Sequence, residues 1–336
     1  MKRRLIIFLS IILLSTYSLQ ASNHIERRAA IDVGSGGTKV AIADVEVETG
    51  KIIQIIFQDS FSVPYQAALE SSYDGSFDKE IRELGMRTFV QIKDLTNHYQ
   101  VEKVSAVATA AFRNAANGEE FASEVATQTG IPLRVIPQRE EGEIAFNSAV
   151  AVEDIPQNDV LVWDIGTGSF QMSVLNDADT LTVFMGELGS IPFRNYIIDV
   201  IQSKDSDEIS SPNPMTEEDL KMADSFARSI ARKAYPLIKA KIKEEETEII
   251  GIGRLFSSSI APMAEDSAYI TRKDLRNYIN ATLEKSDEEI GDPYAHVDVS
   301  NAILVLAYMK ALHIHQIHVI DTTSTNGMLI NPKYYQ

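Results

Sequence analysis

No cysteine occurs among the 336 residues, which excludes disulfides, thiolate zinc sites and a cysteine nucleophile. Basic residues are scarce: 31 Lys and Arg stand against 48 Asp and Glu, a formal net charge of −17. A field of that sign repels a phosphate backbone before a local patch can attract it, so general nucleic-acid binding is excluded. Any polyanionic ligand must meet a local, backbone-lined site. Tryptophan appears once, at Trp163, in a strand of aliphatics where core packing is its expected role. Long hydrophobic runs are also few. The clearest, Leu5–Leu14, is broken only by Ser10, follows Lys2, Arg3 and Arg4, and is about half the ~20 residues a spanning helix needs. Residues 1–21 therefore read as a signal peptide cleaved near Ala21, giving a periplasmic or secreted protein with no stable membrane anchor. An N-terminal anchor is the alternative. Loss of this segment removes three positive and no negative charges, leaving the remainder still more acidic.

What is present is an ordinary globular composition, 44% hydrophobic and 24% charged, in a length that fits two domains of roughly 100–200 residues each. One motif occurs twice. AAIDV runs into GSGGT and then the alternating KVAIADVEV. At a spacing of 132 residues, VLVWD runs into GTGSF and QMSVL. Asp32, Gly34, Ser35 and Gly36 thus fall in register with Asp164, Gly166, Thr167 and Gly168. Each copy reads as a strand, a glycine turn and a strand. Such a turn lets consecutive N–H groups converge on phosphate oxygens, with the Ser or Thr hydroxyl as a further donor. An aspartate ending the first strand can hold hydrated Mg²⁺. A plain glycine hairpin explains either copy alone, whereas two in register favour related domains and an anion site. Neither copy is a P-loop or a dinucleotide fingerprint, because a strand rather than a helix follows the turn.

Four segments carry a resemblance to the exopolyphosphatase / guanosine pentaphosphate phosphatase family, within the superfamily of acetate and sugar kinases, heat-shock chaperones and actin. They are IDVGSGGTKVAI (31–42), AVATAAFRNAAN (106–117), IPLRVIPQREEGEIAF (131–146) and LVWDIGTGSFQMSV (161–174), with weaker matches at GELGSIPFRNYI (186–197) and at the chain end. The resemblance implies an α/β fold of two ribonuclease-H-like, actin-like domains with a phosphate-binding cleft between them. It implies that Gly34, Ser35, Gly36 and Gly37, together with Gly166, Thr167, Gly168 and Ser169, bind phosphates. Asp164 and Asp32 would hold Mg²⁺ or Mn²⁺, Glu141 would activate water, and Arg113 would offset negative charge. From the residues alone, Arg113 also reads as a helix-capping surface arginine, and Glu140 and Glu141 as partners of a helix dipole.

The sequence departs from the family in its second loop, where Thr167 replaces a glycine and Gln171 a glutamate. An amide cannot take a proton or balance metal charge. The third loop, IIGIGRLFSSS (249–259), has Gly253, Arg254 and Leu255 in place of Gly-Gly-Thr, and TTSTNG (322–327) lacks an arginine. The expected activity is hydrolysis of the terminal phosphoanhydride of polyphosphate or a nucleoside polyphosphate, weak if the missing carboxylate matters. The alternative is a non-catalytic sensor of the same ligands, and a homodimer is a further expectation.

The expected domains are 28–152 and 158–332, divided at DIPQND (154–159), with the chain end packing back on the first domain. Helices are expected near 78–99, 118–129, 191–203, 216–246 with a kink at Pro236, and 299–312. Further strands are expected at 104–108, 133–136, 181–184 and 316–321.

Overall fold

The computed structural model describes residues 24–336 except 153, 154, 177 and 179, so the signal segment lies outside the described residues. The first sheet opens with β1 (Ile25–Val33), β2 (Gly37–Glu46) and β3 (Ile52–Ser62), a meander in which β2 pairs antiparallel with both neighbours. After α1 (Tyr65–Glu70) and α2 (Lys79–His98), β4 (Lys103–Ala108) joins β1 in parallel. Then α3 (Ala110–Asn114) and α4 (Gly118–Thr129) lead to β5 (Leu133–Val135), which joins β4, giving the order β3-β2-β1-β4-β5. The next helix, α5 (Gln138–Val150), carries the chain to the second sheet.

There the plan repeats. β6 (Val160–Ile165), β7 (Phe170–Leu175) and β8 (Leu181–Gly186) form the meander, followed by α6 (Ser190–Tyr196), α7 (Glu217–Ala231) and α8 (Pro236–Lys241). β9 (Glu248–Ile252) pairs in parallel with β6. β10 (Tyr269–Thr271), α9 (Arg272–Thr282), α10 (Asp287–Ile290) and α11 (Ala295–Leu312) precede β11 (Gln316–Val319). The second order is β10-β11-β9-β6-β7-β8. The register repeats as well: Asp32 lies opposite Lys39, and 132 residues on, Asp164 lies opposite Gln171.

Local chemistry explains most element ends. Asp78 accepts the Ile81 N–H to start α2, Thr216 and Asp219 form a capping box on α7, and left-handed Gly130 ends α4. The single kinked helix expected over 216–246 is two helices. Proline lacks an N–H and crowds the preceding turn, so Pro236 opens α8 at its first position instead of continuing α7. Residues 190–201 form α6 and then a π-helical turn, Ile197–Ile201. Trp163 is fully buried against Phe256 and Tyr308. No helix of the described residues is long and apolar enough to cross a membrane.

Packing crosses the boundary drawn from the sequence. α5, placed with the first domain, sets Ala145, Phe146 and Ala149 against Val160, Val162 and Ile250 of the second sheet. Gly142 lies inside α5. A methyl group there would come within 2.5 Å of Val183, so its bareness lets the helix lie against β8. α12 (Ser324–Ile330) returns to the first sheet, where Met328 and Leu329 join Ala30, Ala41 and Ala43. The chain end is anchored there: Arg28 donates to the Leu329 carbonyl at 3.0 Å and Tyr335 to that of Ala29 at 3.2 Å. Gly327 lets α12 touch α5, since a methyl group on it would lie 2.2 Å from the Ile144 carbonyl. Crossed helices thus join the two sheets.

Candidate active site between two glycine turns

The two turns have the same internal bond and face each other. Gly34 N–H donates to the Gly37 carbonyl at 2.9 Å, and Gly166 N–H donates to that of Ser169 at 2.8 Å. A methyl group on Gly36 would come within 3.4 Å of Thr167 Oγ1, and one on Gly168 within 2.9 Å of Ser35 Oγ. Each turn is therefore seated against the hydroxyl residue of the other. Neighbouring elements brace them. The Gln66 N–H donates to the Ser35 carbonyl at 2.9 Å, and the Ser190 and Ile191 N–H groups donate to Gly166 and Thr167 at 3.1 and 3.0 Å. At Gly189 a side chain would strike the second turn, 2.5 Å from the Ser169 nitrogen.

Acidic and basic groups gather at the strand ends beside these turns. Asp32, buried, takes Lys39 Nζ at 3.3 Å and a short hydrogen bond from Ser324 Oγ at the start of α12. Glu141, in the first turn of α5 and only 13% exposed, is ion-paired through Oε1 to Arg113 Nη1. Arg113 also donates to the Ile136 carbonyl at 2.9 Å. It lies in the last turn of the five-residue α3, pointing at Glu141 rather than capping a neighbouring helix. The other Glu141 oxygen, Oε2, meets the Gln171 amide at 3.4 Å, and that amide also donates to Ser169 Oγ at 3.3 Å. Glu140 turns away to Arg134 and Tyr334, a structural contact.

Electrostatics tie the three carboxylates into one cluster. Burial pushes Glu141 up to about 7, Arg113 pulls against it, and the charges of Asp32 and Asp164 add to the rise. Burial likewise pushes Asp164 up to about 6, opposed by Lys39 and assisted by Asp32. Three acids here share two nearby bases, Lys39 and Arg113. That excess negative charge suits a divalent cation. Among the described residues no three acidic or histidine side chains converge closely enough to ligate one ion directly. Asp164 and Asp32 therefore fit a hydrated Mg²⁺ or Mn²⁺ better than a dehydrated one. The third loop closes on the same place. Gly253 has φ +84°, and a methyl group on it would sit 2.7 Å from Asp164 Oδ1.

The structure brings Asp32, Arg113, Glu141, Asp164, Gln171 and the two glycine turns to this junction, and leaves Glu140 outside it. Lys39 and Ser324 are the members of this cluster not foreseen from the sequence, whereas Gly253 was named with the third loop. Lys39 was within reach, because it occupies in the first repeat the position of Gln171 in the second. Ser324 lies within TTSTNG (322–327), where nothing local signals a contact with Asp32.

A model of the Ppx/GppA phosphatase family matches residues 40–333. The chain belongs to that family. Similar solved structures include a Ppx/GppA family member from Aquifex aeolicus, 22% identical over 91% of this chain and 97% of that one, with a TM-score of 0.73. An exopolyphosphatase from Cytophaga hutchinsonii is 18% identical over 90% and 96% of the two chains, with a TM-score of 0.70. The α/β, actin-like fold implied by the resemblance, here with two sheets, is the fold these structures share with it. The family match begins just after the first glycine turn, at the second strand of the hairpin.

Proposed function

We propose that this family member hydrolyses the terminal phosphoanhydride of inorganic polyphosphate, or of a nucleoside polyphosphate, with Mg²⁺ or Mn²⁺. The observation that carries this reading is the contact of the two glycine turns, Gly36 on Thr167 and Gly168 on Ser35, beside the Asp32–Asp164–Glu141 cluster. With the domains parted by the thickness of a ligand, the amides of Gly34–Gly37 and of Gly166–Ser169 line both walls of one oligoanion site. In the conformation described here the walls touch.

The chemistry needs no covalent intermediate. Water attacks the terminal phosphorus, Glu141 Oε2 takes a water proton, and the bridging oxygen leaves with the bond's electron pair on the shortened chain. Oε2 is the available oxygen, since Arg113 occupies Oε1 and the Gln171 amide approaches Oε2 only to 3.4 Å. A Glu141 titrating near 7 is a base matched to neutral pH. Arg113 and Lys39 offset charge on the transferring group. Asp164 and Asp32 would hold a divalent cation, which would supply further charge neutralisation.

A competing reading, binding without turnover, is favoured by Gln171, an amide at the second-repeat position beside Ser169 and Glu141. Phosphate release from long-chain polyphosphate separates the two, because hydrolysis is expected to disappear in Glu141→Ala. Export through residues 1–21 remains part of the proposal and would set the activity outside the cytoplasm.

A further inference from the structure

Arg254 is exposed on the second domain, yet its nearest polar partner belongs to the first: Nη1 lies 3.5 Å from Ser60 Oγ. Ser60 sits opposite Lys39, which sits opposite Asp32, so the three occupy one row across β3, β2 and β1. Directly opposed residues in an antiparallel sheet project from the same face. The Arg254 guanidinium therefore reaches across the domain junction to the outer end of the row whose inner end is the carboxylate cluster.

Its base is fixed. Gly253, immediately before it, takes a left-handed conformation that leaves no room for a methyl group beside Asp164 Oδ1, and it donates to the Thr322 carbonyl at 3.3 Å. Leu255 and Phe256, immediately after it, are buried. Of the cations beside the junction, Lys39 is engaged by Asp32 and Arg113 by Glu141. Arg254 has no carboxylate partner among the described residues, in a chain of net charge −17. An unengaged guanidinium, rigidly mounted at the rim of an anion site, is suited to a phosphate. Adjacent strands are roughly 4.8 Å apart, so two spacings put Ser60, the residue the guanidinium contacts, about 10 Å from Asp32. That is too far for the phosphorus under attack.

We propose that Arg254 grips a phosphate of the substrate remote from the one being cleaved, so that the site selects linear phosphoanhydride chains over pyrophosphate. This rests on the hydrolytic reading above and specifies its substrate class. Between them, the glycine turns would take the reacting end and Arg254 the trailing chain as the domains close on it.

The test is a length ladder. Affinities for pyrophosphate, tripolyphosphate and long-chain polyphosphate are measured calorimetrically with Mg²⁺ for the wild type, Arg254→Ala and Arg254→Lys, alongside steady-state phosphate release. A charge-assisted contact of this kind predicts that the preference for tripolyphosphate over pyrophosphate falls about tenfold or more in Arg254→Ala and is partly restored by Lys. For tripolyphosphate the loss should appear in KM rather than kcat. An unchanged preference, or an equal loss for both ligands, overturns the assignment of Arg254. Binding without phosphate release in the wild type, with the preference still falling in Arg254→Ala, would refute hydrolysis and leave the anion contact standing. No binding of any of the three to the wild type overturns both.

Discussion

Replacing Glu141 by Gln is expected to stabilise the metal-free protein while removing its activity, and the gain should depend on pH in one direction only. Glu141 is pushed from 4.5 up to about 7 in the folded state, chiefly by burial, with Asp32 and Asp164 adding to the rise against Arg113. Between those two values the folded protein keeps a proton that the unfolded chain has released. Stability is therefore lost as pH rises through this window, and the full cost is present above about 7. At 1.36 kcal/mol per unit, that cost is on the order of 3 kcal/mol. Gln has the shape of the protonated acid and never bears the charge. It should match the wild type below about pH 4.5, gain through the window, and level off on the order of 3 kcal/mol more stable by pH 8. Asp164 titrates in the same direction in both proteins, so it largely cancels in the difference. The assay is urea unfolding with EDTA from pH 5 to 9. A Gln variant less stable than the wild type at pH 8, or a difference constant across the series, would refute burial of a charge that Arg113 only partly compensates.

Two further outcomes follow from the same cluster. Gln171→Glu places a second carboxylate against Glu141, whose Oε2 is 3.4 Å from the present amide. It should lower metal-free stability at pH 8 in thermal unfolding, yet raise the rate of phosphate release at saturating Mg²⁺, where the cation balances the added charge. Gly253→Ala must hold a side chain at φ +84° and place a methyl group 2.7 Å from Asp164 Oδ1, so a loss of at least ~1–2 kcal/mol is expected in chemical unfolding.

Much of this arrangement was legible in the sequence because the information is local and repeated. Alternating apolar residues, a glycine turn and an aspartate at the strand end define each hairpin without knowledge of its partner, and the spacing of 132 residues announces the duplication. The start of α7, where Thr216 and Asp219 form a capping box, is encoded just as locally. Of the strands that escaped notice, β3, β9 and β10, the longest, β3, lies at a sheet edge, where IIQIIFQDSFS is largely exposed on both faces and no alternation is imposed. Its pairing with β2 is further broken by register shifts beside Ala43 and Val45. The crossing of α5 and α12 between the two halves was equally invisible. It depends on Gly142 and Gly327 permitting close approach to residues far away in the chain, and single glycines carry no sign of what they will touch. Ser324 reaches Asp32 only through that crossing, which joins residues 292 apart.

Facing glycine turns and one buried glutamate together perform the proposed phosphoanhydride hydrolysis. Its most direct test is the rate of orthophosphate release from long-chain polyphosphate with Mg²⁺, for the wild type and Glu141→Ala side by side, both shown by circular dichroism to be folded. The account predicts slow release by the wild type and none above background by the variant. Equal release by the two would contradict Glu141 as the base, and no release by a folded, polyphosphate-bound wild type would contradict hydrolysis itself.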